Sequence, residues 1–355
     1  MGGREYSLFF TPYSLLPTPY SLLPTPYSLL PILYSLLPTP YSLLPTYMFQ
    51  PLGFEQRSII TSLGRMVYYT NTGIPWQDKN TSNTKENLVF IHGFGGGSSA
   101  YEWSKVYPAF AAEYRVIAPD LIGWGLSDHP ERNYQIDDYL TIIREFLQQT
   151  CSEPVRVIAS SLTAAFVIRV ALAHPELFKS LILTTPAGLA DFGEDYSRSI
   201  FAQIVSIPII DRLLYSTGIA TNGGIRSFLE QRQFAQPNRV YSEIIEAYLK
   251  SAQQPNGEYA ALSFVRGDLS FDLSLYIQQL KTPTAIIWGK KSQFTGPQIG
   301  RRLAQMNPEA IRIFEQIEDV GLTPQLELPA VTIGLIRQFI PLLDENLASQ
   351  IIEFV

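Results

Sequence analysis

The sequence predicts an α/β protein: a mainly parallel sheet with helices on both faces, interrupted by one all-helical block. Three observations carry this. Short apolar runs alternate with segments of helical periodicity from Leu88 to Thr185 and again from Thr284 to the C-terminal region. Several runs end in tight turns, the richest being His92-Gly93-Phe94-Gly95-Gly96-Gly97. Between Ala187 and Leu280 the alternation stops and helical stretches follow one another.

At 355 residues the chain has room for one large α/β domain or two small ones. Hydrophobic residues make up 46% and charged residues 16%, which argues against disorder of the main body. The net charge of -6 comes without a run of like charge, so no nucleic-acid partner is expected. Cys151 is the single cysteine, and no Cys/His cluster has zinc spacing. A reducing, cytoplasmic location is expected, with no metal and no cofactor.

Residues 1–47 are set apart by a seven-residue repeat in which Tyr6, Tyr13, Tyr20, Tyr27, Tyr34 and Tyr41 are each followed by Ser-Leu. Seven is a coiled-coil period, but proline recurs in nearly every unit, and each costs a helix roughly 3 kcal/mol. No unbroken apolar run is long enough for a signal peptide or a membrane span. The segment reads as a disordered or extended Pro-rich tail. Repeats this close to identical suggest repeated DNA read through in frame, with Met48 as the biological start.

The folded region, from Phe54, opens on a hairpin, Ser58 to Ser62 and Met66 to Thr70 around Leu63-Gly64-Arg65. After a polar loop, Leu88 to Ile91 is a buried strand, because it is continuously apolar. The glycines after it fit either a phosphate loop or an oxyanion loop; the Gly-Lys-Ser/Thr ending and the GxGxxG spacing of phosphate loops are absent. A helix is expected around Tyr101 to Ala112, then a strand from Arg115 to Asp120. A further helix puts Ile136, Leu140, Ile143 and Leu147 on one face, with Asp137 and Asp138 in the first turn, where its dipole favours negative charge.

The run Val155 to Val170 reads as strand, sharp turn and helix, with Ser161 at the apex. Small residues are required two places either side of such an apex, because the turned backbone leaves no room for bulk. Ala159 meets this requirement and Thr163 meets it loosely. Ser180 to Thr185 adds a strand. The block 187–280 then has helical stretches at Ile200 to Tyr215, Gly224 to Phe234, Val240 to Gln254 and Leu273 to Leu280, a cap over the strand ends. Its first stretch, with Phe201, Ile204, Val205, Ile207 and Leu213, packs on the sheet domain or faces lipid or an acyl chain. The sheet resumes at Thr284 to Trp288 and Ile311 to Ile317, with a helix near Gln298 to Met306 between them. A last helix places Val331, Leu335, Phe339 and Leu342 on one face. The core is thus 54–186 with 281–355.

From about Phe54 onward the chain resembles the α/β-hydrolase superfamily, in its capped esterase and epoxide-hydrolase-like branch. The resemblance rests on His92-Gly93-Phe94-Gly95-Gly96, on Pro119-Asp120 through Gly123-Trp124-Gly125-Leu126-Ser127-Asp128, and on the elbow at Ser161. It implies a serine nucleophile at Ser161, oxyanion donors at the Phe94 and Leu162 N–H groups, an acid after a late strand and a histidine after the last strand. The acid position reads Trp288-Gly289-Lys290-Lys291-Ser292, and Leu322 of Gly321-Leu322-Thr323-Pro324 occupies the histidine position.

Leucine cannot accept a proton, and loss of a triad member removes several orders of magnitude of rate. His92 belongs to the oxyanion loop, His129 is expected to face solvent, and His174 ends the helix after the elbow. Glu318, Asp319 and Asp120 are candidate substitute bases but read as loop and capping groups; Lys290 and Lys291 read as solvated. An aspartate nucleophile is excluded by Ser161. Expected is a scaffold that binds a small apolar or acyl-bearing ligand, or a protein, without triad turnover. The alternative is an esterase, lipase-like or acyl-transfer enzyme using Ser161 with an unconventional base. Peripheral membrane contact through the cap is a weaker expectation.

Overall fold

The computed structural model describes residues 50–76, 85–188, 190–193 and 210–345. The Pro-rich repeat, most of the polar loop after Trp76, the first part of the apolar cap stretch and the C-terminal ten residues lie outside them.

A hairpin of β1 (Glu55–Thr61) and β2 (Gly64–Thr70) opens the fold, paired antiparallel with Thr61 opposite Gly64. Six strands follow: β3 (Asn87–Ile91), β4 (Arg115–Pro119), β5 (Val155–Ser160), β6 (Phe178–Thr184), β7 (Thr284–Gly289) and β8 (Ile311–Ile317). They form one sheet in the order β1-β2-β4-β3-β5-β6-β7-β8. β2 meets β4 antiparallel, and every pairing from β4 to β8 is parallel. From β3 the chain moves outward to β4 and then crosses to β5 on the other side. That reversal opens a crevice at the carboxyl ends of β3 and β5, where ligands bind in such sheets. The glycine loop and the Ser161 elbow begin at those two ends.

On one face lie α1 (Ile136–Thr150) and α2 (Ser161–Ala173). The buried side of α1 is Tyr139, Ile142, Ile143, Phe146 and Leu147, with Ile136 and Leu140 half-buried at its edge. Gln135 and Asp138 cap its start reciprocally. In place of a helix from Tyr101 there are two single turns, Ala100–Trp103 and Tyr107–Phe110. Pro108 has no N–H for a continuing helix and starts a new turn instead.

Between β6 and β7 come α3 (Ile210–Leu214), α4 (Asn222–Phe228), α5 (Ser242–Ala252), α6 (Gly257–Arg266) and α7 (Ser274–Ile277). Wider π turns extend α3 over Tyr215–Ile219 and α4 over Leu229–Gln233. Helix α6 is missing from the sequence reading, because Asn256-Gly257 resembles a loop; Asn256 is in fact a left-handed residue directly before the helix. Leu213 and Leu214 are exposed, while Tyr215 at the end of the stretch is buried in the core. No helix among the described residues is long and apolar enough to cross a membrane.

After β7 come α8 (Pro297–Met306), α9 (Pro324–Glu327) and α10 (Pro329–Asp344). Helix α10 buries Thr332, Ile336, Phe339, Ile340 and Leu343 on the second face. Of the expected stripe only Phe339 is buried, and Val331 is exposed. Both stripes of this helix are apolar at helical spacing, and the sheet takes the one through Ile336, Phe339, Ile340 and Leu343.

Candidate functional site

β5 is buried at every residue and delivers the chain straight into Ser161, whose φ of 54° is left-handed. That conformation costs a serine on the order of 1–3 kcal/mol. The elbow is held by its neighbours: Ser160 is fully buried, Leu162 and Thr163 are buried at the start of α2, and the Ala187 N–H faces the Ser161 carbonyl at 3.4 Å. A Cβ on Gly93 would lie 3.0 Å from Ser160 Oγ and 3.2 Å from Ser161 Cβ, so the loop after β3 comes close to the elbow and a larger residue there would make its neighbours give way.

The two expected oxyanion donors are brought to this corner from β3 and from the first turn of α2. Among the described residues neither the Phe94 N–H nor the Leu162 N–H donates to a protein acceptor. The Phe94 ring is locked below by Trp124 (5.1 Å between centroids), Tyr139 (4.7 Å) and Phe166 (5.6 Å), which fixes the backbone that carries its N–H.

Among the described residues no hydrogen bond joins Ser161 to the positions expected for the base and the acid. Leu322 is buried, and its N–H donates to the Gln233 carbonyl (2.8 Å). Ser292 is buried with no partner for its hydroxyl among the described residues, so it orients nothing. No side chain among the described residues hydrogen-bonds the Ser161 hydroxyl.

The other candidates have structural work. His92 is fully buried; its Nδ1–H donates to the Gly93 carbonyl (2.7 Å) while Nε2 accepts from the Leu121 N–H (3.0 Å). Burial pulls it down to about 4, so it stays neutral and braces the glycine loop. Asp120 accepts from Ala100 N–H (2.7 Å), Leu126 N–H (2.9 Å) and Tyr69 O–H (3.4 Å), with burial pushing its carboxyl up to about 6. Glu318 pairs with Lys290. Asp319 accepts from Gln236 (2.6 Å) and pairs with Arg239 (2.9 Å). His129 corrects an expectation. It is half-buried, not solvent-facing, with Nε2 3.2 Å from the Gly125 carbonyl, because the loop from Gly125 folds back over it. His174 lies at the far end of α2, about 20 Å along the helix from Ser161.

One residue was missed. Glu102 is almost fully buried and accepts from the Gly93 N–H (2.9 Å) and the Tyr248 O–H (3.0 Å). Its Oε2 lies 3.5 Å from the point a Gly93 Cβ would occupy, the same point that Ser161 Cβ approaches. Burial outweighs these hydrogen bonds and pushes its carboxyl up. Tyr248 in turn accepts from Gln233 Nε2 (2.8 Å), which also reaches Thr323 Oγ1 (3.3 Å). A buried polar chain therefore runs from Thr323, beside the histidine position, through the helical insertion to Glu102 at the elbow. An acid inside the otherwise apolar Ala100-Tyr101-Glu102-Trp103 turn was the available signal.

The insertion is docked by further backbone contacts. A Cβ on Gly97, at φ 100°, would come 2.1 Å from the Tyr248 carbonyl, so α5 seats directly on the glycine loop. Glu327 accepts from the Ala235 N–H (2.8 Å) and the Gly321 N–H (2.7 Å), and burial pushes it up to about 7. A folded-state value above the ordinary 4.5 means its stabilisation is complete below that value and lost as pH rises through about 7. The unfolding free energy from urea titration is expected to fall by up to about 3 kcal/mol between pH ~5 and ~7.5. Glu327→Gln should flatten that fall and lower stability at acidic pH, because an amide accepts only one of the two N–H groups.

Beside the glycine loop lies a cavity of about 550 Å³, lined by Gly95 and Gly96 and by Ile219, Ile225, Phe228, Ala261, Phe264 and Val265 of the insertion, with Phe294 and Arg232 also contributing. Among the described residues no group of side chains is arranged to hold a metal ion.

A sheet of this order, with a serine elbow after its fifth strand and a glycine loop after its third, defines an α/β-hydrolase fold. The alpha/beta hydrolase fold family model matches residues 86–201. Lipase 1 of Psychrobacter immobilis is 26% identical over 279 residues, spanning 77% of this chain and 80% of that protein. The 2-hydroxymuconate semialdehyde hydrolase of a Pseudomonas species is 27% identical across 71% of this chain and 86% of its own. In three dimensions a meta-cleavage product hydrolase from Pseudomonas fluorescens superposes with a TM-score of 0.63 at 22% identity, over 82% of this chain and 99% of that one. The chain has the α/β-hydrolase fold, and its residues 86–201 match that family.

Proposed function

We propose that this protein binds a small apolar or acyl-bearing ligand between its glycine loop and its helical insertion, without Ser-His-Asp turnover. The observation that carries this is at Leu322: an apolar side chain stands where the base belongs, with its backbone tied to Gln233. The elbow, two oxyanion donors without an acceptor among the described residues and the apolar cavity supply binding, and no histidine at position 322 takes the Ser161 proton. The lipase and hydrolase relatives supply the chemistry from which such a site descends. The unpaired Cys151 agrees with a cytoplasmic setting.

A second reading keeps Ser161 as a nucleophile in an esterase or acyl-transfer enzyme, and the buried carboxyl of Glu102 beside the elbow favours it. A fluorophosphonate probe separates the two. Under the proposed function, wild type labels no faster than Ser161→Ala, at least ~10³-fold below an ordinary serine hydrolase. Labelling that is lost in Ser161→Ala and also in Glu102→Gln would overturn it and assign Glu102 as the base.

A further inference from the structure

We propose that the cavity beside the glycine loop takes an amphiphilic anion, its apolar body against Ile219, Ile225, Phe228, Phe264 and Val265 and its carboxylate on Arg232. This rests on the ligand-binding function proposed above and adds the chemical class. The walls are apolar, and Arg232 is the one charged residue that lines them. It is exposed, which places it at the solvent side, near Phe294, whose ring meets Phe228 at 6.2 Å between centroids. Glu230, on the same π turn, is committed to Arg226 (3.0 Å). Among the described residues no carboxylate pairs with Arg232. A guanidinium beside an apolar cavity is matched by a planar oxyanion, to which it donates in a two-pronged geometry. A volume of about 550 Å³ is in the range of pockets that enclose whole small molecules.

The charge contact lies at a solvated rim, so its effect is selectivity of moderate size that weakens with salt. Titration calorimetry with decanoate, decanol and decyltrimethylammonium, each below its micelle concentration, tests it. Decanoate is expected to bind roughly tenfold more tightly than decanol at low salt, and the cation more weakly than either. Arg232→Gln is expected to remove the preference and leave decanol binding unchanged. Equal binding of decanoate and decanol, or a preference that survives Arg232→Gln, overturns the anion assignment while leaving a ligand cavity in place. Failure of all three to bind, or binding unaffected by Val265→Trp, overturns the ligand-binding function itself. Folding of both variants is checked by their unfolding midpoints.

Discussion

Ser161 is expected to gain reactivity when Leu322 and Ser292 are replaced by a histidine and an aspartate. The double variant Leu322→His/Ser292→Asp should react with a fluorophosphonate at least ~10²-fold faster than wild type, because a triad multiplies rate by far more than its members do singly. Leu322→His alone should recover only part of this, since no carboxylate would fix its tautomer. Three features make the gain possible: the left-handed Ser161, the Phe94 and Leu162 N–H groups, which meet no acceptor among the described residues, and a Leu322 backbone already pinned by Gln233. Adding Ser161→Ala should return labelling to background. A double variant that folds and stays inert would mean that the polar chain from Thr323 to Glu102 occupies the space the imidazole needs, and that residues 322 and 292 are not the sole block.

Why the scaffold was legible and part of the site was not follows from how each is encoded. Buried parallel strands are near-continuous apolar runs, so β3 and β7 announce themselves locally, and β5 does so despite its buried Arg156. The elbow and glycine loop are equally local, because each is a run of residues that alone tolerate a turned backbone. Leu322 and Ser292 could be singled out in the sequence, since each sits at a fixed offset from a strand end, three residues after β7 for Ser292 and five after β8 for Leu322. Glu102 was not readable. Its meaning depends on Tyr248, 146 positions away, and on Gly93 closing over it. Arg232 is likewise ordinary in sequence and acquires a role only when its π turn lies beside the glycine loop. The register of α10 failed for another reason: two apolar stripes compete on one helix, and tertiary packing chooses between them.

Phe166→Ala is expected to be the most damaging single substitution for stability, at about 3–5 kcal/mol. Phe166 is fully buried in α2, five residues after the elbow. Its ring stacks on Tyr139 of α1 (5.5 Å, 6° between planes) and on Phe271 of the insertion (5.8 Å, 22°), and presents an edge to Phe94 (5.6 Å, 77°). Truncation therefore opens a cavity at the point where the first face of the sheet, the glycine loop and the insertion meet. Urea titration and thermal unfolding should both register it, with Tm falling by roughly 10 °C. Phe166→Leu, which refills most of the volume, should cost well under half as much. The consequence reaches the site through Phe94, whose N–H is positioned by the same aromatic group. A double-mutant cycle of Phe94→Leu with Phe166→Leu should show coupling of about 0.5–1.5 kcal/mol. Additive effects would mean the ring contact does not hold the glycine loop, and that His92 and Glu102, which bond Gly93 directly, position the Phe94 N–H by themselves.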